Sequence, residues 1–172
     1  MDNRTLHKIG YGLYVVSSKN GERYNGQIAN TVFQITSKPA TIALSINKDN
    51  FTHSFISESR VFAVSILSQN TPMKFIGLFG FKCGRDIDKF KDIGYEIGVT
   101  GSPVVIDNSI GYIEAKVIGS LDVGTHDLFI GEVVNAQILN SDEPMTYAYY
   151  HEIKGGKSPK TAPTFIEENK SA

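Results

Sequence analysis

Strand-like runs dominate this chain, and two of them, Tyr24–Pro39 and Ile42–His53, alternate polar and apolar residues with a period of two, as strands with one wet and one buried face do. The runs are "YGLYVVSS" (Tyr11–Ser18), "YNGQIANTVFQITSKP" (Tyr24–Pro39), "IALSINKDNFTH" (Ile42–His53), "VFAVSIL" (Val61–Leu67), "PVVID" (Pro103–Asp107), "IEAKVIGSLDV" (Ile113–Val123) and "HDLFIGEVVNAQIL" (His126–Leu139). They are rich in Val, Ile, Phe and Tyr and punctuated by Gly, Asn and Asp. On this alternation Glu114, Lys116 and Asp122 point outward. Helical spacing is confined to two short segments. One is Phe51–Ser59, with Phe51, Phe55 and Ile56 on one side; the other is Thr71–Leu78, where Met73, Ile76 and Gly77 allow close packing. The Gly-, Pro- and Lys-rich stretch Gly155–Pro163 is expected to be extended, and "IEENKSA" after it to fray. Many strands and few short helices predict a mainly β fold, an antiparallel barrel that closes its own edges. A doubly wound dinucleotide fold is disfavoured, because it requires long helices between the strands.

Bulk properties narrow the function classes. A length of 172 residues with 41% apolar content predicts one domain, 1–172, with a single core and 155–172 as its extended C-terminal segment. A formal charge of −1 gives no electrostatic footprint for nucleic acid or anionic lipid, which leaves small molecules and proteins as partners. No apolar run approaches the ~20 residues of a membrane span, and the N-terminus lacks an apolar leader, so a cytoplasmic location is expected. The single cysteine, Cys83, excludes an internal disulfide and a rubredoxin-type iron site and is left without a role. The four histidines are dispersed, with no carboxylate at ligand spacing, and no metal site is expected. "GGKSP" ends like a phosphate-binding loop, but His151 stands where that loop needs its first glycine, and Pro159 would disrupt the helix that must follow.

The chemistry lies on the wet faces of the second and third runs. Gln27, Asn30, Thr31, Gln34, Ser45 and Asn47 donate and accept hydrogen bonds without charge, which suits the edge of a heterocycle; the plainer alternative is a solvated strand face. Asn50, Thr52 and His53 then fall at a helix start, where free backbone N–H groups favour an anion, with Lys48 nearby. Asn50 can also serve simply as the helix cap. A ring site beside an anion site predicts a phosphorylated aromatic cofactor.

These two runs, with "FGFKCGRDIDKF" (Phe79–Phe90), "GTHDLFIGEV" (Gly124–Val133) and "PMTYAYYHEIKGGKSPKTAPTF" (Pro144–Phe165), resemble the flavin reductase-like family over roughly Asn3–Phe165. The likeness is strongest to its flavoredoxin, ferric reductase and high-molecular-weight rubredoxin branch. It implies an antiparallel Greek-key split β-barrel that binds FMN. It also implies an NAD(P)H oxidoreductase, in which hydride passes from the nicotinamide to bound FMN and electrons go on to flavin, ferric iron or a small rubredoxin-like redox protein. A flavoredoxin-type FMN electron carrier without enzymatic activity is the alternative. By the same resemblance Gln27, Ala29, Asn30 and Thr31 meet the isoalloxazine, Lys89 reaches the FMN phosphate, and His126 lies beside the ring where it contacts the nicotinamide. Without the resemblance, Lys89 reads as a surface lysine beside Asp86 and Asp88, and His126 as a partly solvated turn histidine. Members of the family are usually homodimers, so "TYAYY" and "GGKSPKTAPTF" are expected to cover the partner's site.

Overall fold

The β-branched and aromatic runs form the strands of this fold, which the computed structural model describes over residues 3–165; "IEENKSA" lies outside the described residues. After a 3-10 turn at Asn3–Lys8 come β1 (Tyr14–Asn20), β2 (Arg23–Ala29), β3 (Val32–Ser37) and β4 (Ala40–Asn47). The helix α1 (Phe51–Ser59), β5 (Val61–Leu67) and the helix α2 (Met73–Phe81) follow. The small strands β6 (Tyr95–Ile97) and β7 (Pro103–Val105), the long hairpin of β8 (Ser109–Asp122) and β9 (His126–Ile138), and the helix α3 (Tyr147–Glu152) complete the described chain. No helix among the described residues is long and apolar enough to cross a membrane.

Seven strands pair in the order β2-β1-β5-β8-β9-β4-β3, every ladder antiparallel. The strands at the two ends of that order, β2 and β3, are neighbours in sequence, so the sheet curls until its edges meet at the Asn30–Thr31 link. The core has the same shape: Ala29 of β2 and Ile42, Leu44 and Ile46 of β4 share one cluster with Val16, Phe62 and Phe129. This is the split barrel, mainly β with few helices. Close packing sets Gly131 of β9, where a Cβ would come within 2.7 Å of the Phe62 ring and 2.8 Å of Ala115. A methyl there would force Phe62 out of the core.

A second layer covers the outside of the barrel. Val15 on the outward face of β1 packs with Phe75, Ile76 and Phe79 of α2 and Tyr150 of α3, and the β6–β7 hairpin sets Val104 against Ala63 and Tyr112. This layer corrects the reading of Glu114. The side chain does point away from the barrel interior, but it is fully buried under the β6–β7 turn. Its carboxylate accepts hydrogen bonds from Val99 N (3.2 Å), Thr100 N (2.9 Å), Thr100 Oγ1 (2.8 Å) and Asn135 Nδ2 (2.9 Å).

The helix at Phe51–Ser59 and the strand at Val61–Leu67 have the expected limits. The run Tyr24–Pro39 is two strands, because the alternation continues through the break at Asn30 and Thr31. The stretch Gly155–Pro163, expected to be extended, forms no strand: Gly155 turns the chain at φ +65°, 156–159 have no regular structure, and beyond them Ala162 N donates to Pro159 O and Phe165 N to Ala162 O.

Candidate functional site

A cleft opens where β2, the start of α1, the turn after α2 and the C-terminal segment converge. Gln27 and Ala29 of β2, Ser45 and Asn47 of β4, and Asn50 and Thr52 border it, as does Lys89. Asn50 occupies the N-cap position of α1 but makes no side-chain capping bond, so its amide is available to a ligand. Two acceptors in the cleft are buried without a partner, Gln27 Oε1 and Asn25 Oδ1. Leaving such a group unpaired costs about 1–3 kcal/mol, so the cleft is built for a ligand that brings its own donors. Asn25 is fixed by Nδ2, which donates to Thr52 Oγ1 at 2.9 Å. Gly84 passes so close that a Cβ there would lie 2.0 Å from Asn25 Oδ1.

The cleft is also positive. Lys82, Arg85, Lys89 and Lys157 border it against a single acid, Asp49, although the chain as a whole is slightly acidic. The Arg85 guanidinium stacks on Phe51, the first residue of α1, at 4.4 Å, and Arg23 approaches the same ring at 5.6 Å. A guanidinium therefore stands at the N-terminal end of α1, where His53 N already donates to Asn50 O and the amides before it lack an intrahelical acceptor. Lys89 is not a surface lysine: it is 5% exposed, and its ammonium donates to Gly26 O (2.9 Å) and Phe79 O (3.3 Å). Burial pushes it down to about 8, partly opposed by the nearby Cys83.

Asn30 also borders the cleft, while His53, Lys48, Thr31 and Gln34 are not among its lining residues. His53 Nε2 lies 2.7 Å from Asp127 Oδ2 with its ring against Phe129, and Lys48 pairs with Asp122 at 2.6 Å and Asp127 at 3.8 Å. Successive helical residues diverge by about 100°, so with Thr52 on the cleft His53 points away from it, here toward Asp127 and Phe129 of β9. Thr31 Oγ1 donates to Asn30 Oδ1 (3.0 Å), and Asn30 Nδ2 donates to Thr164 Oγ1 (2.9 Å). The Asn30–Thr31 pair thus ties the barrel seam to the C-terminal segment. Gln34 is exposed on β3 and donates to Thr36 O.

His126 opens β9 opposite Asn47, with Nδ1 2.8 Å from Thr125 Oγ1 and Nε2 buried without a partner. Burial lowers its proton affinity, and the backbone of Thr161 opposes this. Thr161 itself borders the cleft, which puts the imidazole just behind that residue. The C-terminal segment lies over the cleft of its own chain, where the sequence had suggested the partner's.

Residues 6–155 match the family described as flavin reductase like domain. The chain belongs to the flavin reductase-like family. Membership makes it a flavin-dependent NAD(P)H oxidoreductase. A high molecular weight rubredoxin of Moorella thermoacetica is 51% identical over 100% of this chain and 76% of its own length. A ferric-chelate reductase (NAD(P)H) of Archaeoglobus fulgidus is 50% identical over 97% of this chain and 99% of its own. Among solved structures, an FMN-binding protein from Thermus thermophilus superposes with a TM-score of 0.71 at 26% identity, covering 77% of this chain and 74% of that one.

Asn25, Arg85 and Tyr147, which border the cleft, and Thr164, which anchors the segment over it, were not singled out as site residues from the sequence. Asn25 lies inside a quoted run on β2, two residues before Gln27, and that spacing was the available signal. The other three had none, because their roles depend on contacts between segments distant in sequence.

Proposed function

We propose that the protein is an FMN-dependent NAD(P)H oxidoreductase that delivers electrons to ferric chelates. The observation that carries the choice of FMN is the local excess of positive charge in the cleft of a slightly acidic chain, beside the free N-terminus of α1. Arg85, stacked on Phe51, would hold the phosphate together with the first backbone amides of α1. Lys89 would contribute its charge from beneath, since two backbone carbonyls already engage its ammonium. Gln27 Oε1 and Asn25 Oδ1 would accept from the N–H and hydroxyl donors of the ring and ribityl chain. When bound, the flavin supplies two-electron uptake from the nicotinamide and onward delivery of electrons. His126, kept neutral by burial, would orient the nicotinamide or carry a proton at Nε2.

Support for a ferric-chelate acceptor is the relative of that name, which matches from end to end. The high molecular weight rubredoxin relative supports a rubredoxin-like protein as a further acceptor. Use of NAD(P)H is consistent with a cytoplasmic location. A homodimer is supported by Phe33 and Ile35 on the edge strand β3 and Ile118 on β8, large apolar side chains exposed on the β3-β4-β9-β8 part of the sheet.

Calorimetric titration of the apo-protein with FMN and with riboflavin tests the phosphate site. A charge-assisted contact contributes about 1.5–3 kcal/mol, so FMN should bind roughly 10- to 100-fold more tightly than riboflavin. Arg85→Ala should remove most of that difference and leave riboflavin binding unchanged. Equal dissociation constants for the two flavins in the unmodified protein would contradict the reading.

A further inference from the structure

The segment after α3 is fixed at both ends of the cleft. At its start the chain turns at Gly155, with φ +65°, and Gly156 N donates to Tyr150 O at 2.9 Å. A Cβ on Gly156 would lie 2.1 Å from the Tyr150 ring, so a side chain there would push the segment off α3. Tyr150 Oη then clamps Lys157 twice, accepting from its N–H (3.2 Å) and donating to its carbonyl (3.0 Å). At the far end Thr164 Oγ1 accepts from Asn30 Nδ2 (2.9 Å) and donates to Tyr147 Oη (2.5 Å), which also bonds Ser158 Oγ. Between these anchors Pro159 and Pro163 stiffen the chain, and Pro159, Thr161 and Ala162 border the cleft. One end is held by α3, and the other by the seam between β2 and β3.

We propose that Thr164, held between Asn30 and Tyr147, latches this strap across the cleft of its own chain, and that the latch makes the flavin a resident group retained from one turnover to the next. The proposal rests on the FMN reading above. A ligand beneath a closed strap leaves only while the strap is open, so its release rate scales with the open population. At the strap's far end Thr164 hydrogen-bonds both Asn30 of the seam and Tyr147 of α3. Removing its two hydrogen bonds should raise the open population, and with it the release rate, about tenfold or more. Gly155 and Gly156 supply the turn about which the strap swings.

The test is FMN release from the full-length, FMN-loaded protein, followed by recovery of flavin fluorescence on dilution. Thr164→Val keeps the side chain's shape without its donor and acceptor, and Thr164→Ser keeps the hydroxyl. The expected result is release at least tenfold faster from Thr164→Val, near-normal release from Thr164→Ser, and an unchanged melting temperature of both apo-proteins. Equal release rates for Thr164→Val and the unmodified protein would overturn the latch while leaving the FMN site standing. An unmodified protein that takes up no FMN would overturn the site reading and the latch together. Gly156→Ala provides an independent arm, in which normal retention would also count against the strap.

Discussion

Lys89 is a buried ammonium that places two of its three donors on backbone carbonyls, and no ion pair with a carboxylate forms among the described residues. The fold therefore favours the neutral amine, and the group is charged below about 8 and progressively neutral above it. If that charge helps hold an anion, the advantage of FMN over riboflavin should shrink as pH rises through about 8, and Lys89→Met should make the ratio of affinities insensitive to pH. Titrations between pH 7 and about 9.5 check this; a constant ratio in the unmodified protein would remove Lys89 from the phosphate's surroundings. His126→Ala is expected to retain FMN while reduction by NAD(P)H slows about 10²-fold, the usual worth of a general acid/base. Stopped-flow reduction at the normal rate in a fully loaded variant would contradict a role for its buried Nε2. At this scale the sequence was informative about type more than direction. Amide-rich positions on β2 and β4 do meet at the cleft, but nothing in "NFTH" separates Thr52, which faces it, from His53, which pairs with Asp127.

Elements position these residues, and the β6–β7 hairpin shows how a second layer changes the meaning of alternation. Glu114 lies on the outward face of β8 as period two dictates, yet the turn at Gly98–Ser102 encloses it, and a Cβ on Gly98 would lie 2.1 Å from its carboxylate. Burial works against ionisation there, but the donors from Thr100, Asn135 and Val99 outweigh it and hold the carboxyl below its usual range. A depressed carboxylate stabilises the fold above its unfolded value of about 4.3 and loses that contribution as pH falls through the folded value. Glu114→Gln should therefore flatten the acid limb of the stability curve. Glu114→Ala should cost about 3 kcal/mol or more at neutral pH, since it orphans several buried donors. Urea unfolding across pH checks both, and an Ala variant within 1 kcal/mol of the parent protein would contradict the account. Legibility at this scale followed local pattern. Helix α1 and β5 have the predicted limits because α1 carries Phe55 and Ile56 on one buried face and β5 is a nearly continuous apolar run buried on both faces. By contrast α3 was invisible, since "TYAYY" is rich in strand-favouring tyrosine. It is helical because Thr146 caps it, accepting from Tyr149 N at 3.1 Å, and because Tyr150 packs into the outer layer.

For the whole molecule, barrel closure and site formation coincide: the seam where β2 meets β3 is also where the strap is anchored. Neither the family likeness, which suggested a segment over the partner's site, nor strand periodicity, which carries no register between distant strands, pointed to that arrangement. The exposed Phe33, Ile35 and Ile118 leave an apolar surface that a second copy would cover, so light scattering at micromolar concentration should give a dimer, and Phe33→Lys should weaken it. A monomer under those conditions would contradict the assignment of that surface. On the proposed function this cleft holds a flavin that NAD(P)H reduces and a ferric chelate reoxidises. This is tested most directly by anaerobic titration of the FMN-loaded protein with NADH and with NADPH, followed in visible absorbance. Bleaching of the flavin colour by one nicotinamide per bound flavin, and its return on adding a ferric chelate, is the expected result; colour that persists under excess of both nicotinamides would contradict it.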